Sequence, residues 1–399
     1  MNLFEKLYCR MFQFCFRVLL PMLPYRDPEV LVSEAEIGDV LYKRGYSSVL
    51  IVTDESLHRL GLIEKLKTVL DSKEISYYIY DKTVPNPTVV NVEEARELYL
   101  ANDCRAIIGF GGGSPMDCAK AVGAHVVKPK QPIPKMKGIL KIRKRLPTFI
   151  VIPTTAGTGS ETTLAAVITD GETRHKFPIN DFSLIPHYAA LMPEVTRGLP
   201  PFITATTGMD ALTHAIEAFI GHSTTKETRS YALEATRLIF ANIEKVYNDG
   251  TDMEARRNML TASFLAGKAF SKSYVGYCHA VAHSLGGKYN IPHGLANAVL
   301  LPHVLDGYGK TVYCKLKELA IVVGIATEST EEGEAARIFI ERIRMLNVKM
   351  GISATLSEIK KEDIPELAMH AAHEGNPLYP VPKLMNATEL EQCYFALME

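Results

Sequence analysis

Asp210 and His214 are four residues apart in TGMDALTHAIEAFIG (207–221), a segment of helical period. Positions i and i+4 share one helix face, so both side chains can reach a single point. His279 and His283 repeat that spacing in CHAVAHSLGGKYNIPHG (278–294), and His293 follows a Gly-Gly turn and Pro292. One carboxylate with several imidazoles and no thiolate suits Fe(II), Zn(II) or Mn(II) and does not suit a soft-metal cage. Spacing alone does not separate His279 from His283 as a ligand.

A second group of residues suits a phosphate. Gly109-Phe-Gly-Gly-Gly-Ser-Pro-Met-Asp117 follows an apolar β-branched run and precedes a helical pattern. Glycines that bare a helix start leave free N–H groups and a positive dipole end for a pyrophosphate. Ser114 is read as the N-cap, Pro115 as the first helical residue, and Asp117 as completing a capping-box spacing. PTTAGTGSETT (153–163) follows another strand-like run and offers hydroxyls and unhindered amides. Asp54 ends the run VLIVTD, where a carboxylate can accept from a ribose. It stands 57 residues before Gly111 rather than about 20 after the glycines, and the loop is GxGGG. The pattern is therefore a nucleotide site outside the ordinary dinucleotide arrangement.

The elements that must position these groups fall into two classes. Runs at 49–54, 76–81, 105–110, 148–153, 165–170 and 189–194 alternate with helical patterns, which implies a mostly parallel sheet covered on both faces. After about Leu199 helical periods dominate (204–220, 226–248, 253–270, 275–286). The expected architecture is an α/β nucleotide-binding domain over 1–198, with a helical extension at 1–30, and an all-α metal-binding domain over 199–399.

Lys plus Arg (44) nearly balance Asp plus Glu (45), so no global field draws the chain to nucleic acid or to a membrane. Neither partner is expected. The basic run 135–145 reads as a solvated loop. Seven scattered cysteines without a CxxC pair point to reduced thiols and a cytoplasmic setting. The apolar residues 1–28 are broken by Glu5, Lys6, Arg10 and Arg17, so they read as an amphipathic helix packed on the body or on a partner subunit, with peripheral membrane contact as the lesser alternative.

VTD (52–54), PNP (85–87), GGGSPMD (111–117), PTTAGTGSE (153–161), GMDALTHAIE (208–217) and HAVAHSLGGKYNIPHG (279–294) together resemble the iron-containing (group III) alcohol dehydrogenases. They run in that family's order and spacing, from about residue 40 onward. The resemblance implies a dehydroquinate-synthase-like fold with a deep cleft between an NAD(P)-binding domain and a metal-binding helical domain, and a homodimer. It implies Asp210, His214, His279 and His293 as ligands of Fe2+ or Zn2+, and His283 as the cleft histidine near the nicotinamide; because an imidazole titrates near working pH, His283 is also the candidate proton relay. For the cofactor it implies Asp54 at the adenosine ribose and Asn86 near the nucleotide. Gly112, Gly113, Ser114 and Asp117 would hold the pyrophosphate side, with Thr154, Thr155, Thr163 and Lys176 lining the remainder. An acid at 54 repels a 2′-phosphate, so NAD is expected over NADP. Ser284 departs from the family, where many members carry proline.

The implied reaction is hydride transfer between a nicotinamide and a small primary alcohol, diol or aldehyde. Two alternatives share the architecture: a glycerol-dehydrogenase-like polyol oxidoreductase and a dehydroquinate-synthase-like lyase. The DALTH segment counts against both, because it adds a second ligand one helical turn after the carboxylate. A nucleotide-binding regulator that has kept the fold is the non-enzyme alternative.

Overall fold

The computed structural model describes residues 1–171 and 176–398, which divide into two compact units. One spans Pro24–Arg197. The other joins Gly198–Glu399 with Met1–Leu23. Helix α1 (Leu3–Leu19) therefore belongs with the helical unit, whereas the sequence reading attached it to the α/β domain. The physical reason is local: Arg10 and Gln13 of α1 hydrogen-bond to backbone carbonyls between Pro377 and Pro382.

In the α/β unit the strands are β1 (Glu29–Leu31), β2 (Ser48–Val52), β3 (Ser76–Tyr80), β4 (Ala106–Gly111), β5 (Gly138–Ile139), β6 (Thr148–Pro153), β7 (Ala165–Thr169), β8 (Lys176–Asn180) and β9 (Tyr188–Ala190). Helices α2 (Glu34–Lys43), α3 (Glu55–Arg59), α4 (Glu64–Ser72), α5 (Val89–Ala101) and α6 (Gly113–Val127) intervene. Six strands form a parallel sheet in the order β1-β9-β6-β4-β2-β3. Every residue of β2, β4 and β6 is buried, as expected of a parallel sheet covered on both faces. Val49, Ile51, Ile108, Ile150 and Ile152 belong to its core.

The run at 165–170, read from sequence as a strand of the main sheet, lies elsewhere. As β7 it pairs antiparallel with β8 in a separate three-stranded sheet, β5-β8-β7. Its alternating burial gives the reason, since a half-buried strand does not fit a sheet covered on both faces.

The helical unit adds α7 (Pro201–Ile220), α8 (Lys226–Asn248), α9 (Met253–Ser273), α10 (Tyr277–Tyr289), α11 (His293–Tyr308), α12 (Tyr313–Val322), α13 (Glu332–Lys349), α14 (Ile364–Gly375) and α15 (Ala387–Phe395). Ala215, Ala235 and Ala266 meet where α7, α8 and α9 converge, and side chains this small let the three helices approach closely. Residues 204–206 and 208–220 of α7 are all buried, so any polar side chain on it must find a partner inside the protein.

Candidate metal centre and nucleotide-binding turn

Helix α7 sits at the centre of its unit and presents Asp210, His214 and Glu217 along one side. Asp210, His279 and His293 each offer one ligand atom, and these atoms lie within 4.8 Å of one another. His279 Nε2 is 3.8 Å and His293 Nε2 is 3.5 Å from Asp210 Oδ1. His214, one helical turn along α7 from Asp210, packs against this group. Its ring stacks on His279 at 4.3 Å between centroids and on Phe270 at 4.0 Å.

The donors are held from behind. Glu217, absent from the sequence reading, lies at i+7 from Asp210 and is fully enclosed. Its carboxylate accepts from Gly276 N–H (2.8 Å), Cys278 N–H (2.8 Å) and His279 Nδ1–H (2.6 Å). Burial lifts its pKa to about 7, and the two backbone N–H groups pull against that rise. Gly276 is required here, because a Cβ would come 2.7 Å from Glu217 Oε1. With Nδ1 engaged, His279 turns Nε2 toward Asp210, and this buried nitrogen has no hydrogen-bond partner among the described residues. Asn297 donates to Asp210 Oδ1 at 2.7 Å and lies 3.1 Å from His293 Nε2.

Burial pulls His279 down to about 4 and His293 to about 3, so both rings are neutral at neutral pH and offer lone pairs. Burial works to raise Asp210, but the neighbouring imidazoles and the Asn297 amide bring it below the usual carboxylate range. A carboxylate, neutral imidazoles and one orphaned nitrogen directed at them fit a divalent cation with nitrogen and oxygen ligands. The carboxylate–imidazole pair behind His279 is the usual outer-shell arrangement for such a ligand.

His283 adopts a different setting. Its side chain is 45% exposed, and its Nδ1 lies 2.6 Å from Glu374 Oε1, which also accepts from Tyr379 Oη at 2.7 Å. Desolvation works to lower its pKa, and the charge and hydrogen bond of Glu374 outweigh that and raise it. The ring stacks on His293 at 5.2 Å. Ser284, the departure noted above, donates to Val281 O and lies 2.6 Å from Tyr394 Oη. Glu374 and Tyr379 sit about ninety residues beyond His283, where no local spacing could have signalled them.

In the α/β unit, β2 and β4 are neighbours while β3 lies on the far side of β2, so the chain reverses direction across the sheet between them. Their carboxyl ends therefore form a topological switch point, the place where open α/β sheets take ligands. Asp54 follows β2 and Gly111 ends β4. The capping expected at Ser114 is not what forms: the N-cap is Gly112, without a side-chain cap, and α6 begins at Gly113. Pro115 is consequently the third helical residue. The reason lies at Gly111, whose φ is +150° and whose Cβ would fall 2.6 Å from Pro115 Cγ. The turn tightens two residues earlier than a serine cap would allow, and the first-turn N–H groups stay open to a guest.

The remaining expected cofactor residues divide by what they touch. Thr154 N–H donates to Gly111 O at 3.0 Å, and Thr155 Oγ1, beside Gly112, is buried without a hydrogen-bond partner among the described residues. Asn86 takes φ +60° and donates its N–H to Ser114 Oγ at 3.3 Å. Lys176 opens β8 opposite Thr169, and burial lowers its ammonium. Asp54 Oδ1 caps α3 by accepting from Leu57 N–H at 3.0 Å.

Asp117 and Thr163 face into the protein instead. Asp117 accepts from Ser160 Oγ (2.7 Å) and Val167 N–H (2.9 Å), and Thr163 Oγ1 meets Lys120 Nζ at 2.9 Å. Lys120, also missed from sequence, is fully buried in α6. Its Nζ lies within 3.1 Å of Ser160 O and Oγ, Thr163 O and Oγ1, and Ala165 O. Burial lowers it to about 8 against the fields of Asp117 and Glu161, and five oxygen acceptors keep it protonated at neutral pH. It ties the 153–163 loop to the helix that starts at the glycine turn.

Comparison with known proteins agrees with both halves. Residues 31–193 match the profile of iron-containing alcohol dehydrogenase, and residues 204–398 match the C-terminal part of the Fe-containing alcohol dehydrogenase family. Alcohol dehydrogenase 4 of Saccharomyces cerevisiae is 37% identical over 344 residues, covering 85% of this chain and 88% of its own. The 1,3-propanediol dehydrogenase of Citrobacter freundii is 35% identical over 383 residues, covering 95% and 98%. A crystal structure of 1,3-propanediol oxidoreductase superposes with a TM-score of 0.90 at 34% identity, covering 94% of this chain and 99% of that one.

Proposed function

Because the chain belongs to the iron-containing alcohol dehydrogenase family, we propose that it interconverts small primary alcohols or diols and their aldehydes, with Fe2+ or Zn2+ held by Asp210, His214, His279 and His293 and with NAD as hydride carrier. The observation that carries this reading is the buried, partnerless His279 Nε2 directed at the Asp210 carboxylate. A cation bound there supplies Lewis-acid polarisation of the substrate oxygen, and the nicotinamide supplies or takes the hydride.

The chain's own residues do the rest. Glu217 holds the Nδ1 proton of His279, which keeps Nε2 as the donor nitrogen. Asn297 orients the Asp210 carboxylate. His283 keeps a proton on Nδ1 against Glu374, so Nε2 exchanges protons between the site and solvent across its half-exposed edge. On the nucleotide side, the uncapped start of α6 and the Thr155 hydroxyl receive the pyrophosphate, and Asp54 receives the ribose and disfavours a 2′-phosphate.

NADH oxidation by metal-stripped protein, reloaded anaerobically with Fe(II) or Zn(II), tests the reading against a panel of two- to four-carbon aldehydes. Metal-dependent turnover is the expected result, and the best aldehyde identifies the substrate class. Tight NADH binding with no turnover under either metal would sink it in favour of a lyase or a regulator. His283→Ala should keep its metal and turn over slowly. A metal-free His283→Ala would reassign the ligands.

A further inference from the structure

Helix α1 is fastened to the helical unit along one narrow face. Arg10 donates to Val381 O (2.7 Å) and Pro382 O (3.0 Å), and the buried Gln13 donates to Tyr379 O (2.7 Å) and Pro377 O (3.2 Å). Cys9 is buried on the same side, and Phe16 meets Tyr274 edge-on at 5.0 Å. The outward side is apolar and open. Nine of the seventeen residues of α1 are exposed large hydrophobic side chains, including Leu3 (84%), Phe4 (78%) and Phe14 (65%). At 3.6 residues per turn they sweep about half the circumference.

Charge is arranged with equal bias. Lys6 and Arg17, both exposed, fall with Arg10 on one edge of this half-cylinder, and Glu5 falls on the other. The chain's near-zero net charge argued against a membrane partner, but along α1 the positive charge is local and one-sided.

We propose that α1 is an in-plane anchor that docks this protein on an anionic lipid bilayer. Half a cylinder is wider than the roughly 100° apolar stripe that a surface helix commonly turns to its own core. A half-cylinder one α1 in length is about 25 Å by 16 Å, roughly 400 Å². That is about half of the ~800 Å² per partner that a stable protein interface needs. A bilayer interface takes the whole apolar half-cylinder, while the basic edge meets the lipid phosphates. The family match begins at residue 31, so α1 lies outside it.

Flotation of the full-length protein with vesicles tests this. The protein should rise with phosphatidylcholine–phosphatidylglycerol vesicles and rise far less with phosphatidylcholine alone, and high salt should weaken the binding. Arg17→Gln should weaken it about fivefold, the effect of one basic residue at an anionic surface. The Phe4→Ser/Phe14→Ser double variant changes only outward residues, so its melting temperature should hold while flotation is lost. A wild-type protein that stays at the bottom overturns the proposal, as does a double variant that still floats. If vesicles are ignored and the double variant lowers the mass measured by light scattering, α1 is covered by a second copy of the chain instead.

Discussion

In the helical unit the candidate site is made of side chains, and in the α/β unit it is made of backbone. Asp210, His279 and His293 converge from three helices, and each is set by a further buried side chain or amide. At the end of β4 the candidate groups are instead N–H groups that Gly111, Gly112 and Gly113 leave uncovered, and the side chains behind them hold the turn. A side-chain site fails one ligand at a time, whereas a backbone site fails when the packing that shapes it gives way.

The largest effect that would break this contrast belongs to Asp210→Ala. It should strip the metal and lower turnover by about 10³-fold or more, since metal polarisation contributes several kcal/mol to the barrier. NADH affinity by fluorescence titration should stay near wild type. A variant that loses both together would show that the two regions are not independent. Glu217→Gln should cost roughly 10- to 100-fold in metal affinity or activity, the usual range for a residue behind a ligand. Elemental analysis across a chelator series would measure it, and unchanged affinity would deny Glu217 its positioning role.

Lys120→Met should act on the other region. Five acceptors around a buried ammonium would lose their donor, which destabilises the fold by about 3 kcal/mol in urea unfolding. Nucleotide binding should weaken while metal content holds, and a loss of metal instead would erase the distinction.

The smallest effect concerns pH. Burial first, then Arg26, Arg145 and Arg44, pulls His187 down to about 4, and its Nδ1 accepts from Phe149 N–H at 3.1 Å. The ring is therefore neutral when folded, while the unfolded chain takes its proton near 6.5. This contribution is complete above about pH 6.5 and is lost as pH falls through 4. His187→Asn, whose Oδ1 can accept the same bond uncharged, should flatten the melting temperature across that window. An unchanged slope would assign the acid sensitivity elsewhere.

Much of the candidate metal centre was legible because a helix turns spacing into direction. Residues four apart share a face, so Asp210 with His214, and His279 with His283, announced themselves. Glu217 was legible by the same rule, three residues beyond His214, but nothing in spacing distinguishes an orienting carboxylate from a solvated one. The glycine turn was legible in kind and misplaced in detail. Three glycines signalled a turn, yet the cap fell on Gly112 rather than Ser114, because Gly111 and Pro115 crowd each other and set where the helix can begin. Asp117 read as a cap and faced inward, since Ser160 and Val167 bring donors to it from 43 and 50 residues away.

The sequence by itself determined the two classes of element, the boundary near Gly198, and the residue types gathered at each end. Those follow from periodicity and local backbone preference, which need only neighbours in the chain. Tertiary structure alone decided that β7 leaves the main sheet, that α1 sides with the helical unit, that Lys120 binds the 153–163 loop, and that His283 answers to Glu374. Each of these depends on contacts between residues far apart in the chain, where burial and hydrogen-bond satisfaction select a partner that spacing cannot name.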